Sequence, residues 1–301
     1  MWKEKSVRNF LIIMLVIIIL FFASLSYVPS FGRLFVHSEA PSVGTRSLPN
    51  GTLAQVITTN PNGSPAVTLS TNWAGIEDYV PYLIFWRQAI TEVDSTITIS
   101  TISMPPSSQV CSQVDQVMCS WIGISNGAGG TGGLAQTGYT RDATGNSQYY
   151  LFYEVYPYNS MQEVWNGGEV AAVSPGQTVH FYIQQSGSTW DFTADVSNGN
   201  QYTTEVTYSF TGYYVQSMTE AYSANGIIQQ IAEFSNVYFE SGVFTSGGTQ
   251  YSIPSWGNYN VYRMDQQSNV QNPSDVISYF SGNNIYTEWY NSYYSYSYVN
   301  G

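Results

Sequence analysis

Thr178-Val179-His180-Phe181-Tyr182-Ile183-Gln184 decides the fold, because its apolar residues fall on every second position. Val179, Phe181 and Ile183 take one face and His180 and Tyr182 the other, the period-two pattern of a strand with one side buried. His180 is accordingly read as an ordinary strand residue. Working outward, similar short runs recur at residues 95–103, 149–156, 189–196, 201–210, 234–239 and 285–290, with Gly, Asn, Ser or Pro in most of the gaps. No stretch holds a helical period for more than about two turns. Many short strands at this spacing specify an all-β chain, an antiparallel β-sandwich of two packed sheets. Residues 69–292 form that one domain, long enough to bury its own core as a monomer.

The N-terminus is a targeting segment. Lys3, Lys5 and Arg8 precede an unbroken apolar run from Phe10 to Ala23, and small residues follow at Ser24 and Ser26. Residues 1–28 therefore read as a signal peptide, or as a signal anchor if the apolar run extends to Val28 and reaches the length of about 20 residues that a membrane span needs. In both cases the basic end stays inside and the remainder is exported, secreted or held at the outer face of the membrane. Residues 29–68, rich in Pro, Gly, Ser, Thr and Asn, read as a linker or pro-segment, and residues 293–301 as a Tyr-rich tail.

Charge narrows the partners. No lysine follows Lys5, so the exported part holds only Arg33, Arg46, Arg87, Arg141 and Arg263 against the 19 acidic residues that remain of 20 once Glu4 is set aside. Nucleic acid is excluded as a partner, since phosphate binding needs clustered Lys and Arg. Charged residues make up 9% of the chain, against about 25% in ordinary soluble proteins. Such a surface suits acid: below about pH 3 most carboxylates are neutral, and a chain with few bases then carries little self-repelling positive charge.

Cys111 and Cys119 are the only cysteines, and in an exported chain this short spacing predicts a disulfide. Two thiols with His37 and His180 far away in sequence cannot complete a zinc shell, so no metal is expected. The same two histidines do not supply a Ser-His-Asp triad, and no Gly-x-Ser-x-Gly elbow, His-Glu-x-x-His or phosphate-cradling loop is present. Carboxylate and amide chemistry is what remains.

An ordered series of motifs resembles the glutamic peptidases, or eqolisins. Asn72-Trp73-Ala74-Gly75, Trp121-Ile122-Gly123-Ile124, Leu134-Ala135-Gln136-Thr137-Gly138 and Tyr153-Glu154-Val155-Tyr156-Pro157 follow the family's order and spacing. Ser174-Pro175-Gly176-Gln177, Val196-Ser197-Asn198-Gly199, Glu233-Phe234-Ser235 and Ser278-Tyr279-Phe280-Ser281-Gly282 fall where the family has its later turns and strands. The resemblance implies a Gln and a Glu facing each other on the concave face of one sheet. Gln136 takes the first position. In the run Val215-Gln216-Ser217-Met218-Thr219-Glu220, Glu220 takes the second, and Gln216 replaces an earlier, non-catalytic Glu. Trp121, Glu154 and Tyr156 match residues that line the family's site and are expected to contact substrate. Thr140 and Tyr150 stand where the family has aspartates, a departure that bears on the pH optimum.

The implied chemistry is hydrolysis of protein or peptide substrates in acid without metal or cofactor. It asks for a base to activate water, a donor for the developing oxyanion and an acid for the departing nitrogen. A glutamate with a reference value near 4.3 keeps a working carboxylate fraction where imidazole is fully protonated. Two other readings stay open. A glycoside hydrolase would use Glu154 and Glu220 as its paired carboxylates, and a non-catalytic binding module would keep the scaffold alone.

Overall fold

The structure, a computed structural model, describes residues 43–47, 53–57, 67–70, 73–80, 87–103, 116–128, 132–142, 148–156, 166–223, 233–254, 259–264, 276–281 and 284–289. The targeting segment, Asn72, Cys111 and the Tyr-rich tail lie outside the described residues. The strands are β1 (Val43–Ser47), β2 (Leu53–Ile57), β3 (Val67–Ser70), β4 (Trp73–Tyr79), β5 (Ile90–Thr98), β6 (Ile102–Ser103) and β7 (Gln116–Ser125). They continue as β8 (Leu134–Asp142), β9 (Tyr149–Tyr156), β10 (Asn166–Val173), β11 (Thr178–Ser186), β12 (Thr189–Val196), β13 (Gln201–Thr207) and β14 (Tyr214–Ser223). The last are β15 (Glu233–Phe234), β16 (Val237–Ser246), β17 (Thr249–Ser252), β18 (Tyr259–Met264), β19 (Val276–Ser281) and β20 (Asn284–Trp289).

Two sheets result. One runs β3-β18-β4-β14-β7-β8-β9-β10 and is antiparallel except for the edge pair β3 and β18. The other runs β13-β12-β11-β5-β16-β20-β19, with β17 paired to the far half of β16. They join at one edge through the pair Met264 and Val276. Among the described residues the expectation of an all-β fold with two antiparallel sheets holds. Within the stretch read as linker or pro-segment, β1 and β2 pair with each other, and Gln55 of β2 meets Phe280 of β19.

The seven residues of the opening motif lie in β11, where Val179, Phe181 and Ile183 are buried and His180 and Tyr182 are half-buried. The buried face packs with Val93 and Ile97 of β5, Ile122 and Ile124 of β7, and Phe239 and Phe244 of β16 in one core. Each such side chain contributes about 1.5–3 kcal/mol through removal of apolar surface from water. On the outer face His180 stands 3.6 Å from Asp94 of β5 and 4.0 Å from Asp195 of β12. Its hydrogen bond with Asp94 is the main cause of an imidazole pKa held above the usual value.

The middle of the first sheet, β4, β14, β7 and β8, is buried on both sides, and that positions the site. Along β14 every residue from Val215 to Glu220 is buried. Alternation sends Val215, Ser217 and Thr219 to the inter-sheet core and Gln216, Met218 and Glu220 to the opposite face. There a second cluster forms from Cys119, Trp121, Leu134, Phe152, Met218 and Tyr262, with Trp73 and Tyr156 packed against it.

Candidate active site

The residues of that second face line up in rows set by strand register. One row runs Glu77 (β4), Gln216 (β14), Gly123 (β7), Gln136 (β8), Glu154 (β9), and another runs Trp73, Glu220, Cys119, Thr140, Tyr150. Between them Met218, Trp121, Gly138 and Phe152 form a row of their own. Gln136 and Glu220 thus lie on one face, on strands that both pair with β7 but not with each other. Their partners on β7, Gly123 and Cys119, are four residues apart, about 13 Å of strand.

Trp121 bridges that interval. Its Nε1 donates to Glu220 Oε2 at 2.9 Å, while its Cζ3 comes within 3.0 Å of where a Cβ on Gly123 would stand. The indole therefore runs lengthwise from the carboxyl toward the Gln136 row, braced edge-on by Trp73 at a centroid distance of 5.5 Å. Gly138 makes this possible. A Cβ there would lie 2.0 Å from the Ser120 carbonyl oxygen and 2.7 Å from Trp121 Cα, so only glycine lets β8 come this close to β7.

Gln136 is 5% exposed and Glu220 9%, whereas Glu154 and Tyr156 are half-buried near the C-terminal end of β9. Gln136 Nε2 donates to Glu154 Oε2 at 2.6 Å, and Gln136 Oε1 is buried without a donor. Thr137 Oγ1 donates to the Phe152 carbonyl at 2.8 Å and ties β8 to β9 beside it. All five residues expected from the sequence, Trp121, Gln136, Glu154, Tyr156 and Glu220, are thus brought to one face. At the altered aspartate positions, Thr140 Oγ1 is buried without a partner and Tyr150 OH donates outward to Gln148 Oε1 at 2.8 Å.

The Cys111 to Cys119 disulfide is corrected by the structure: Cys119 is a free, buried thiol. As a residue of β7 on the site face it points at Glu220, with Sγ 3.9 Å from Oε2 and 3.8 Å from the carbonyl oxygen. Burial, then the charges of Glu220 and Glu154, push its pKa well above the ordinary value. A Cys111→Ser variant is therefore expected to show no thiol reaction with a disulfide reagent at neutral pH while folded, and one equivalent after denaturation. Rapid labelling of the folded protein would contradict the placement of Cys119.

A second amide and carboxyl pair was missed from sequence. Gln216 Nε2 donates to Glu77 Oε2 at 2.6 Å, and both side chains are fully buried. Asn260 Nδ2 and Tyr262 OH reach Glu77 Oε1 at 3.2 and 3.3 Å. The Tyr262 phenol is pushed far up by burial and then by Glu77. The available signal was the strand period from Trp73, which puts Trp73, Gly75 and Glu77 on one face.

Among the described residues no group of His, Cys, Asp and Glu is arranged to hold a metal ion. Comparison with curated proteins finds no match. Among solved structures, a scytalidoglutamic peptidase holding a peptide-based transition-state analogue is similar, with a TM-score of 0.55 and 18% identity over 74% of this chain and 100% of that one. A member of the eqolisin family called SCP-B, in complex with the tripeptide Ala-Ile-His, is similar with a TM-score of 0.52 and 16% identity over 74% of this chain and 100% of that one. These likenesses show the fold. The sequence profile of the peptidase A4 family matches residues 71–287, which spans the site from the Trp73 strand to the last strand of the domain. The chain belongs to the peptidase A4 family and is a peptidase of the glutamic type.

Proposed function

We propose that the chain is an exported acid endopeptidase in which Glu220 activates the attacking water and Gln136 stabilises the oxyanion. The observation that carries this reading is the shared face: an amide and a carboxyl on separate strands, both registered through β7, with the indole of Trp121 between them. For this, the two side chains must reach along the indole from their rows to a single scissile carbonyl laid over Trp121. Glu220 takes a proton from water as the oxygen bonds to the scissile carbonyl carbon, and the carbonyl oxygen becomes an anion that accepts N–H from Gln136. The intermediate collapses by breaking the C–N bond, and the proton held on Glu220 passes to the leaving nitrogen. Half-buried Glu154 and Tyr156 line the rim that the substrate crosses.

The similar structures that hold a transition-state analogue and a tripeptide support a peptide as the substrate class. Export is supported by the basic and apolar N-terminus, and work in acid by the scarcity of bases.

The test is proteolysis of an unfolded protein across the acid range by the wild-type chain and by Gln136→Ala. The variant is expected to lose about a hundredfold to a thousandfold in kcat, the usual cost of one oxyanion donor. Cleavage of polysaccharide by a fully active Gln136→Ala would transfer the assignment to a glycosidase using Glu154 and Glu220.

A further inference from the structure

Gln136 and Glu154 lie 2.6 Å apart through their terminal atoms, a contact that the amide can make in either orientation, as N–H donor to a carboxylate or as oxygen acceptor from a protonated carboxyl. At the same time Gln136 Oε1, the other terminal atom, is buried and meets no donor. A carboxamide has the same outline with its oxygen and nitrogen exchanged, so half a turn about the Cγ–Cδ bond changes its hydrogen bonds without moving its neighbours. In the turned state Oε1 faces Glu154 and accepts a hydrogen bond from the O–H of that carboxyl when it is protonated. Nε2 then occupies the buried position now held by the orphaned oxygen, on the face that carries Trp121 and Glu220.

We propose that Glu154 is the positioning residue that sets the Gln136 amide by its own protonation. With Glu154 protonated, its O–H holds Oε1 and turns the N–H donors away from Glu154, where they can meet an oxyanion. With Glu154 ionised, the carboxylate draws Nε2 to itself and leaves a carbonyl oxygen where the donor is needed. The proton comes from and returns to solvent, and no covalent bond changes. This rests on the reading of Gln136 as the oxyanion donor and supplies a reason for that donor to work only in acid.

The surroundings fit this role. Glu154 lies over Gly167 of β10, with its Cγ 2.8 Å from where a Cβ there would stand, so glycine at that position leaves the room it occupies. It is half-buried, so a proton can reach it from water. Among the described residues the groups around it include Gln136 on β8, Tyr156 on its own strand, Cys119 on β7 and, across Cys119, Glu220 on β14, whereas Tyr153 turns to the other face and packs on Phe192. The guanidiniums of Arg141 and Arg87 lie over the rings of Tyr149 and of Tyr79, Tyr213 and Tyr214. The Gln216 and Glu77 pair repeats the 2.6 Å contact and the orphaned Oε1, but there Asn260 and Tyr262 donate to the carboxyl and favour its acceptor form.

The experiment uses the full chain and the variant Glu154→Gln, whose amide N–H donates to Gln136 Oε1 at every pH. In the wild type kcat/KM should fall about tenfold per pH unit once Glu154 ionises. In Glu154→Gln that descending limb should disappear, whatever the level of activity at the optimum. In parallel, the Gln136 side-chain 15N signal should move with the Glu154 carboxyl 13C titration in the wild type and stay fixed with pH in the variant. A descending limb unchanged in Glu154→Gln, or a Gln136 signal indifferent to the Glu154 titration, would overturn the proposal. A wild type without proteolytic activity whose Gln136 signal still follows Glu154 would uphold the amide switch and sink the peptidase mechanism, so the two failures are distinct.

Discussion

Glu220→Gln is expected to lower kcat for acid proteolysis by about a thousandfold, within the usual range for removal of a general acid–base group, while leaving the fold intact. The substitution conserves volume, and the new side-chain oxygen can still accept the Trp121 Nε1 hydrogen that now reaches Oε2 at 2.9 Å. What it removes is the ability to take a proton from water and return it to nitrogen. An amide is not a base in this range, so no change of pH should restore the rate. The checks are turnover of an unfolded protein substrate across the acid range and the thermal midpoint of the variant by circular dichroism. A variant with native stability and more than about a tenth of wild-type activity would mean that the base lies elsewhere, with Glu154 on the same face as the next candidate.

Gly138→Ala should act on the fold around the site, and its effect is the largest expected on stability. The added Cβ would stand 2.0 Å from the Ser120 carbonyl oxygen, a main-chain atom of the neighbouring strand, and 2.7 Å from Trp121 Cα. Neither can yield as the end of a flexible side chain would. Separating β8 from β7 would stretch the ladder that registers Gln136, and tilting Trp121 would break its bond to Glu220. The cost is expected to be about 3 kcal/mol or more, above ordinary overpacking because backbone is the obstacle. A lowered denaturant midpoint with an unchanged slope would report it. A midpoint equal to that of the wild type would show that the two strands have slack at this point.

The architecture was legible because period-two alternation is a local property. The alternation from Val179 to Ile183 matches the burial along β11 residue by residue. The site face was legible for a related reason: once Gln136 and Glu220 are placed on strands, spacing within each motif fixes which neighbours share their side. Two features were hidden. Glu77 and Gln216 are charged or polar residues in strands buried on both faces, and alternation cannot mark a buried side when neither side is exposed. Cys119 was misread because cysteine spacing carries no direction. The register of β7 against β14, a contact between residues 101 apart in sequence, is what turns its thiol toward Glu220. Strand order in general escapes the sequence, since it is decided by pairings that no short window contains.

Strand β7 acts as a ruler. The amide and the carboxyl belong to its two flanking neighbours, which never pair with each other, so the interval between them is counted in residues of β7 and nowhere else. A single inserted residue inside that interval would both lengthen it and throw Trp121 or its successors to the opposite side, since a strand has only two sides. Loops at either end can change length without altering the count. Remodelling of this scaffold toward other substrates therefore has freedom at the rim and almost none between Cys119 and Gly123.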